Sequence, residues 1–526
     1  MTMSEARFGA VHRDAAPDDT PQQKPPPRSP AAAALDGILS GGVAIGLATL
    51  LAGAMGWLGL AGGTPSPIPA VGSAFIDRTP PWLKDFAVSS FGTSDKLALF
   101  VSMGVVLVAV CAAIGLVSRT RHTLALVLLA LVGALGAAAV LSRAGAAPQD
   151  IGPTVIGALV GVRTLGRFDR SAEEPDGSVT RRRVLAGGGA GLAALLGSRL
   201  SGGSGQGAEA RAAVALPPAG AAPSVDTASL DVPGISPYVV PNASFYRIDT
   251  ALVVPRLDTA TWSLKVTGEV EHQVTLDWAT LLGKPMQQAL ITLTCVSNEV
   301  GGDLVGNAAW TGWPVRELLA MAGPKNGADM VLSRSSDGFT AGTPIEALTD
   351  DRNALLAIGM NGQPLPFEHG FPVRLVVPGL YGYVSATKWL TELKVTRFSA
   401  DEGYWTPRGW SAKGPIKTAS RIDVPQLGAR VKAGTVAVAG VAWAQHRGIK
   451  GVEVQVDDGP WQTARLAGEP TTDAWRQWVY EWPATTGQHS LRVRASDGGG
   501  AVQSSQEAPP APDGSSGYHR VDVTVG

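Results

Sequence analysis

The sequence predicts a chain of three parts: about five transmembrane helices, then an α+β domain, and last an all-β sandwich domain. Three observations support this fold class. Hydrophobic residues make up 45% of the chain and charged residues only 17%, which is too apolar for an ordinary soluble protein of 526 residues. The long apolar runs all lie before residue 200. After residue 240, short strands with alternating polar and apolar side chains are interspersed with short helices.

Five apolar runs are long or hydrophobic enough to be candidates for transmembrane helices. They cover residues 31–63, 97–117, 123–141, 144–162 and 184–196. The fourth run is the weakest, because Gln149, Asp150 and Pro153 lie inside it. Residues 64–96, between the first two runs, are expected to form a loop.

Two further segments have the composition of unfolded chain. Residues 1–30 are polar and rich in proline, and are expected to form a disordered cytoplasmic tail. Residues 201–235 are rich in glycine, serine, alanine and proline, which predicts a flexible linker between the helical region, residues 31–200, and the domains that follow.

Basic residues predict the orientation of the helical region. The loops at residues 118–122 and 163–183 carry several arginines, and by the positive-inside rule they lie in the cytoplasm. Five spans then place everything after residue 200 outside. The chain is therefore expected to be a multi-pass protein of the cell membrane whose two C-terminal domains are extracytoplasmic.

The triplet Arg181, Arg182 and Arg183 directly precedes the weakly hydrophobic fifth run. Paired arginines before such a run are typical of a twin-arginine export signal, here placed internally rather than at the N-terminus. The same residues would also serve as a basic stop before an ordinary fifth helix. Both interpretations put the rest of the chain on the same side of the membrane.

The part of the chain after residue 240 is organised around the segment ITLTCVSNEVGGDLVGNAAWTGWP, residues 291–314. Its first residues alternate, so that Ile291, Leu293 and Cys295 share one face of a predicted strand and the threonines between them share the other. Glycines follow at positions 301, 302, 306 and 312. They predict a long loop in which the backbone can approach a bulky group closely.

Cys295 is one of only two cysteines. The other, Cys111, lies in an apolar run, so Cys295 has no disulfide partner within its own domain. The simplest interpretation is a buried free thiol, because cysteine is among the most buried residue types. A reactive or metal-binding thiolate requires a special environment.

The surrounding sequence, TCVSNEVGGDLVGNAAWTGWPV, resembles the cofactor-binding segment of the sulfite oxidase family of molybdenum enzymes. The resemblance continues in EHGFPVRLVVP, residues 368–378, and in GYVSATKWL, residues 382–390, and it extends over about residues 240–526. Together with the apolar runs before residue 200, it implies a membrane-anchored bacterial family member. Residues 236–412 would then be a molybdopterin-binding domain of sulfite-oxidase type, and residues 413–526 an immunoglobulin-like dimerisation domain.

The resemblance also implies a set of cofactor contacts. The cofactor-binding candidates are Asn242, Tyr246, Arg247, Cys295, Ser333, His369, Arg374, Ser385, Ala386, Thr387 and Lys388. A pterin cofactor carries a phosphate, to which histidine, arginine and lysine would offer hydrogen-bond donors and positive charge. Structural alternatives are a satisfied histidine at His369 and a surface ion pair of Arg374 with Glu368 or Glu392.

Three residues are the predicted catalytic set, namely Cys295, Tyr404 and Arg408. By the resemblance, Cys295 is also the metal ligand, which suits a soft thiolate. Tyr404 and Arg408 belong to the segment 402–413, in which aromatic and cationic side chains alternate. Such a segment suits the rim of a pocket for an anion or a sulfur oxide, although a linker that packs its tryptophans between domains would have the same composition.

The resemblance implies a molybdenum–molybdopterin oxidoreductase that performs oxygen-atom transfer on a small sulfur or nitrogen oxo-substrate. One departure bears on the substrate. Family members that act on sulfite and nitrate carry consecutive arginines soon after the metal cysteine, whereas residues 296–300 here contain none. A reductase of S-oxides, such as methionine sulfoxide within a protein, is therefore an alternative. A non-catalytic membrane receptor with an immunoglobulin-like binding domain is an alternative of another class.

The partners can be predicted in part. We expect no haem, because the sequence lacks a Cys-x-x-Cys-His motif and His122 is the only histidine of the membrane region. Electrons would then pass to or from another protein or a quinone. The net charge of −1 gives no reason to expect nucleic acid. By the family resemblance, the C-terminal domain would form a homodimer.

Overall fold

The computed structural model describes residues 29–80, 83, 95–171, 178–203, 206–220 and 223–526. The helices of its N-terminal part are α1 (Pro30–Trp57), α2 (Pro67–Arg78), α3 (Asp95–Ser118), α4 (His122–Leu141), α5 (Gly152–Ser171), α6 (Ser178–Gly203) and α7 (Gln206–Ala213). Within the described ranges, α1, α3 and α4 are long and apolar enough to cross a membrane by length and composition. Apart from its last two residues, the predicted disordered tail lies outside the described ranges.

Helix α1 lies at the centre of this helical bundle and packs against α3, α5 and α6. Small residues allow the helices to approach closely. A side chain on Gly37 of α1 would collide with the backbone of Cys111 in α3, and one on Gly46 would collide with the backbone of Ala190 in α6. Close contacts through glycine and alanine are typical of helices that pack in a membrane.

The fourth apolar run differs from the prediction. Helix α5 begins only at Gly152, and Asp150 lies before it in the 3-10 turn Pro148–Ile151. The Asp150 carboxylate accepts hydrogen bonds from the backbone N–H groups of Gly62 at 3.0 Å and Gly63 at 2.9 Å. This acid therefore fixes the loop after α1 and does not interrupt a helix.

The loop after α1 continues into helix α2, whose first residue, Pro67, is well suited to a helix start. Residues 64–96 are therefore not only loop, as was predicted.

The predicted basic loop 163–183 is mostly helical, since α5 extends to Ser171 and α6 begins at Ser178. Residues 172–177 and the side chains of Arg181 and Arg182 lie outside the described part of the chain. Arg183 donates to both carboxylate oxygens of Asp36 in α1, at 2.7 and 2.9 Å. Asp36 is fully buried, so this ion pair ties α6 to α1 and would be costly to break.

The prediction of a flexible linker is wrong for residues 206–220 and 223–235. Arg211 of α7 donates to the carbonyls of Leu365 at 2.7 Å and Pro364 at 2.8 Å. Further along, Ala219 forms a parallel β-bridge with Met286, and the N–H of Leu230 donates to the side chain of Gln477 at 2.6 Å. The segment lies against both following domains, because its backbone groups find partners there.

Residues 236–412, called here the central domain, are mostly β. The strands are β1 (Ser263–Gly268), β2 (Val274–Asp277), β3 (Gln287–Thr294), β4 (Val305–Pro314), β5 (Met330–Ser335), β6 (Thr340–Pro344), β7 (Leu355–Met360), β8 (Gln363–Pro364), β9 (Arg374–Val376) and β10 (Leu390–Thr396). One sheet has the order β2-β1-β10-β5-β6, and the other has β3-β4-β7-β8 with β9 paired to β7. The α-helices between them are short: α8 (Trp278–Leu282), α9 (Val315–Ala322) and α10 (Glu346–Thr349). The predicted α+β domain therefore has a smaller helical share than expected.

The predicted long glycine loop after Cys295 is wrong in its extent. Strand β4 pairs antiparallel with β3 and leaves only residues 295–304 as the loop. Gly306 and Gly312 lie in β4. A side chain on Gly306 would meet the ring of Phe245, and one on Gly312 would meet the backbone of Leu356. These glycines therefore allow close packing on β4, a use that the residue type alone does not distinguish from a loop.

Residues 413–526, the C-terminal domain, form two packed β-sheets as predicted. The strands are β11 (Ala419–Val424), β12 (Arg430–Val431), β13 (Gly434–Trp443), β14 (Ile449–Val456), β15 (Gln462–Thr463), β16 (Arg465–Leu466), β17 (Arg476–Ala484), β18 (Gly487–Asp497) and β19 (His519–Val525). The sheet orders are β11-β13-β17-β16 and β12-β19-β18-β14-β15. Side chains such as Val438, Trp478 and Leu491 fill the core between the sheets. The likeness to an immunoglobulin domain stays a prediction.

Strand β3 connects the two domains through its two faces. Ile291 and Leu293 are buried in a core of the central domain. On the other face, the Thr292 hydroxyl accepts from the N–H of Trp475 at 2.8 Å, and Gln445 donates to the Thr294 hydroxyl at 2.9 Å. The predicted alternation is thus confirmed, and the polar face of the strand packs against the C-terminal domain.

Candidate cofactor site

Cys295 follows β3 directly and lies in the wall of a cavity of about 140 Å³. Its N–H donates to the carbonyl of Leu304 at 2.9 Å, which closes the loop 295–304. The side chain is buried, with 8% of its surface exposed. The other side chains of this wall that matter below are Tyr246, Asp249, Ser297, Asp337, Arg374, Ala386, Lys388, Trp405 and Trp410. We call this space the cysteine cavity.

Burial raises the pKa of the Cys295 thiol. The backbone N–H and the hydroxyl of Ser297, together with the charge of Lys388, act in the opposite direction because they favour the thiolate. Without a metal the thiol is therefore protonated at neutral pH. A bound metal ion would displace this proton, since a coordinating thiol is deprotonated.

Arg374 on β9 is a buried cation, with 3% of its surface exposed. Its guanidinium donates to the carbonyls of Leu375, His369 and Ala386 at 3.2, 3.2 and 3.3 Å. Within the described residues it makes no ion pair, and Glu392, one alternative partner considered above, pairs with Arg334 instead. Burial lowers the pKa of Arg374 to about 10, so the group stays charged at neutral pH. A buried guanidinium without a carboxylate partner is suited to bind a phosphate.

Lys388 and Asp249 form a second charged group beside the cavity. Lys388 lies 3.0 Å from the Asp249 carboxylate, which also contacts Arg247 at 2.9 Å and Lys96 of α3 at 2.7 Å. Burial lowers the pKa of Lys388 to about 8, an effect that Asp249 opposes. Burial also disfavours the Asp249 carboxylate, but the cations outweigh it and hold its pKa well below the usual range. Three cations thus face one carboxylate, which leaves an excess of positive charge.

Six of the predicted cofactor contacts do not line the cysteine cavity. They are Asn242, Arg247, Ser333, His369, Ser385 and Thr387. The hydroxyls of Ser333 and Thr387 bond to each other at 2.7 Å, and Ser385 donates to the carbonyl of Tyr381 at 3.0 Å. His369 Nε2 lies 3.1 Å from the carbonyl of Asn242. These groups hold the backbone around the cavity, whereas Tyr246, Cys295, Arg374, Ala386 and Lys388 line it.

The prediction that His369 would supply positive charge for the phosphate is wrong. Burial, aided by the nearby charges of Arg374 and Lys388, lowers its pKa to about 4. The imidazole is therefore neutral at neutral pH, and its Nε2–H donates to the Asn242 carbonyl. His369 contributes to the position of the Asn242 segment and adds no charge for a phosphate.

Tyr404 and Arg408 line a second cavity, which adjoins the first. The guanidinium of Arg408 lies 3.7 Å from the centre of the Tyr404 ring and donates to the carbonyl of Asp77 in α2 at 3.3 Å. The Tyr404 hydroxyl lies 3.4 Å from the Asp77 carboxylate. The two residues therefore do not face Cys295 directly. Trp405 and Trp410 of the same segment line the cysteine cavity in their place.

Three residues that line the cysteine cavity, Asp249, Ser297 and Asp337, were not predicted from the sequence. Asp337 lies in the turn after β5, and burial raises its pKa. Ser297 follows Cys295 by two residues, and the sequence indicated only that the chain leaves the strand at this point. Asp249 gave no signal, because its importance comes from partners at positions 96 and 388.

The residues present fit a molybdopterin cofactor. Cys295 offers one soft sulfur ligand, and Arg374 and Lys388 offer positive charge for a phosphate on the same cavity wall. In the described ranges, no group of three or more His, Cys, Asp and Glu side chains is placed to hold a metal ion. A metal at Cys295 thus needs ligands that the cofactor brings, as the sulfurs of a molybdopterin do.

Comparison with known proteins supports a molybdopterin-binding domain in this chain. Residues 251–405 match the model of the oxidoreductase molybdopterin binding domain. The chain is 31% identical to human mitochondrial sulfite oxidase over 325 residues, which cover 52% of this chain and 58% of the human protein. It is 32% identical over 171 residues to the uncharacterized oxidoreductase YuiH of Bacillus subtilis, covering 32% of this chain and 83% of YuiH.

Among solved structures, the sulfane dehydrogenase SoxCD from Paracoccus pantotrophus aligns with a TM-score of 0.48 and 24% identity, over 54% of this chain and 81% of that one. The match to the human protein spans little more than half of its length. The match to YuiH, by contrast, covers most of that protein. The chain belongs to the sulfite oxidase family of molybdopterin-dependent oxidoreductases.

Proposed function

We propose that this protein is a membrane-anchored, extracytoplasmic molybdenum–molybdopterin oxidoreductase that transfers an oxygen atom to or from a small sulfur or nitrogen oxo-substrate. The observation that carries the proposal is the cysteine cavity, in which one thiol and two buried cations share a wall. In a merely structural pocket, a buried arginine would be expected to have a carboxylate partner. Within the described residues, the hydrogen bonds of Arg374 all go to backbone carbonyls, and its guanidinium lies over the ring of Trp310.

Cys295 would hold the metal, and Arg374 and Lys388 would hold the cofactor's phosphate. When bound, the molybdenum supplies the two-electron exchange of an oxygen atom; the protein binds, orients and excludes water. Trp405 and Trp410 supply large apolar surfaces on the cavity wall, which limit the access of water. Asp337 places a carboxyl group on the cavity wall, and burial raises the pKa of this group.

A reductase of S-oxides is the second candidate. Val296 and Ser297 line the cysteine cavity just after the metal-binding cysteine, where no arginine is present. A wall of this kind suits a neutral S-oxide, such as methionine sulfoxide in a protein. The non-catalytic receptor is not favoured by any feature of the site, because a thiol with only a structural role would not need the two cations beside it.

The proposal is tested on the full-length protein, produced in cells that make molybdopterin. We expect molybdenum and pterin in equal amounts with the polypeptide. We also expect turnover either of sulfite with an artificial electron acceptor or of methionine sulfoxide with a reduced dye. Folded protein that contains neither molybdenum nor pterin would refute the proposal. The two substrates separate the oxidase from the reductase.

We further propose that α1, α3, α4, α5 and α6 all span the membrane, with the N-terminus in the cytoplasm. The central and C-terminal domains would then lie outside, where electrons pass to or from another protein or a quinone. We also propose that the protein forms a homodimer through its C-terminal domain, as the family resemblance implies. Lys96 in the first turn of α3 supports the placement, because its contact with Asp249 holds the central domain against one end of the bundle.

Export is expected to depend on Arg181 and Arg182, since a protein loaded with its cofactor in the cytoplasm must cross the membrane already folded. Changing both to lysine should keep the central domain inside, protected from protease added to spheroplasts. The matched control is Arg183→Lys, which preserves a charge for the buried Asp36 and should be exported. If protease reached the central domain of the double lysine variant, the arginines would serve only as a positive-inside anchor.

A further inference from the structure

The second cavity is built jointly by the helical bundle and the central domain. It encloses about 420 Å³. The bundle contributes Ser73 and Asp77 of α2 and Arg143 just after α4, and the central domain contributes Arg334 and Arg408. We call this space the vestibule. No residue of the bundle was predicted to lie near the site.

The vestibule adjoins the cysteine cavity. Thr250, Asp337 and Phe339 line both spaces, so they form the boundary between the two. A small molecule in the vestibule therefore lies one layer of side chains away from the cavity that contains Cys295. The vestibule therefore lies directly beside the proposed metal site.

Contacts around Asp77 hold the helical bundle against the central domain at the vestibule. Arg143 pairs with Asp77 at 2.9 Å, and Asp77 in turn contacts Tyr404 and Arg408 of the central domain. A side chain on Gly338 would lie 3.0 Å from the Cβ of Ala144, so the two backbones approach closely here. The bundle is thus a wall of the vestibule.

The charges of the vestibule favour an anion. Three guanidinium groups line it, those of Arg143, Arg334 and Arg408, against two carboxylates, Asp77 and Asp337. Burial raises the pKa of Asp337. Glu392 offsets part of the charge of Arg334 from outside the cavity. Arginine side chains around a concave space attract and orient oxyanions.

We infer that the helical bundle forms part of the substrate path, and that Arg143 selects a small oxyanion, such as sulfite, for entry through the vestibule. This inference rests on the proposed oxidoreductase function and names its substrate class. It also assigns a role to arginines that are remote in sequence from Cys295, in a chain that lacks arginine at residues 296–300. Arg143 is a positioning and selecting residue, because it lies outside the cysteine cavity.

The first test measures the charge preference of the vestibule by thiol labelling and does not depend on enzyme turnover. Ser73→Cys places a thiol on the vestibule wall, and Val71→Cys places one on the exposed side of the same helix as a control. With wild-type protein as background, we compare labelling by two thiosulfonate reagents of similar size, one with a sulfonate and one with a trimethylammonium group. We expect the anionic reagent to label position 73 roughly tenfold faster, because a cationic cleft concentrates anions. Sulfate should slow this labelling, and Arg143→Gln should remove the preference.

Equal labelling rates at position 73, or no protection by sulfate, would overturn the inference. The control position should show no charge preference.

The second test uses turnover by the cofactor-loaded enzyme. Arg143→Gln should raise KM for sulfite roughly tenfold with kcat nearly unchanged, since one charge-assisted contact outside the reacting centre is lost. Turnover of a neutral sulfoxide should not change. An unchanged KM for sulfite in this variant contradicts the inference. Failure of loaded wild-type enzyme to turn over any oxo-substrate would instead refute the proposed function, and the labelling test distinguishes the two cases.

Discussion

Replacing Cys295 with serine is expected to abolish turnover while the fold stays intact. The two side chains differ little in size, so the loss of packing should destabilise the central domain by about 1 kcal/mol or less. The chemistry differs far more, because a thiolate is a soft ligand and a serine hydroxyl has a much higher pKa. Arg374 and Lys388 would still be present to hold the pterin.

The measurement combines activity, metal content, pterin content and the absorption spectrum of the molybdenum centre. We expect pterin to remain bound, the spectrum to change and catalysis to stop. Cys111→Ser is the matched control, since the second cysteine lies in α3, outside the central domain. A serine variant at position 295 with normal activity and spectrum would show that Cys295 is only a buried thiol.

Replacing Arg374 with alanine is expected to cost the protein its cofactor. A hydrogen bond to a charged group contributes about 1.5–3 kcal/mol, so losing the contact that Arg374 would make to the phosphate should weaken binding roughly ten- to a hundredfold. The substitution also removes the donor to the carbonyls of His369, Leu375 and Ala386. Arg374→Lys, which keeps the charge but not the planar fork, should bind the cofactor with intermediate affinity.

Pterin released from purified protein gives the readout, and circular dichroism reports whether the β-sheets are retained. Arg397→Ala is the control, because Arg397 is an exposed arginine of the same domain that pairs with Glu269 at the surface. That variant should keep its cofactor, as surface ion pairs contribute little to stability. If the Arg374→Ala protein retained full cofactor, Arg374 would have a structural role only.

Local patterns in the sequence were sufficient for much of the fold. The alternation at residues 291–295 identified β3 and assigned its two faces, because strand side chains point to opposite sides regardless of distant contacts. Apolar length identified the helices that are now α1, α3 and α4, since a span needs only about 20 apolar residues. The motif around Arg374 and Lys388 identified two residues that line the cysteine cavity.

Other predictions failed where one residue type has two uses. Gly306 and Gly312 indicated a loop, but they allow Phe245 and Leu356 to pack closely on β4. The glycine- and alanine-rich linker indicated free chain, but its described residues contact both domains. Composition describes how freely a segment can move, and tertiary contacts decide whether it does.

Local sequence was enough to predict that a cysteine follows a buried strand, that cations come after it in the chain, and that apolar helices precede it. Each of these follows from neighbours within one segment of the chain. The folded chain was needed to show that Asp249 joins Lys96 to Lys388, and that Asp77 and Arg143 of the bundle line one cavity with Tyr404 and Arg408. These contacts join segments more than a hundred residues apart, and no local periodicity encodes which distant segments meet, because packing of the whole chain selects them.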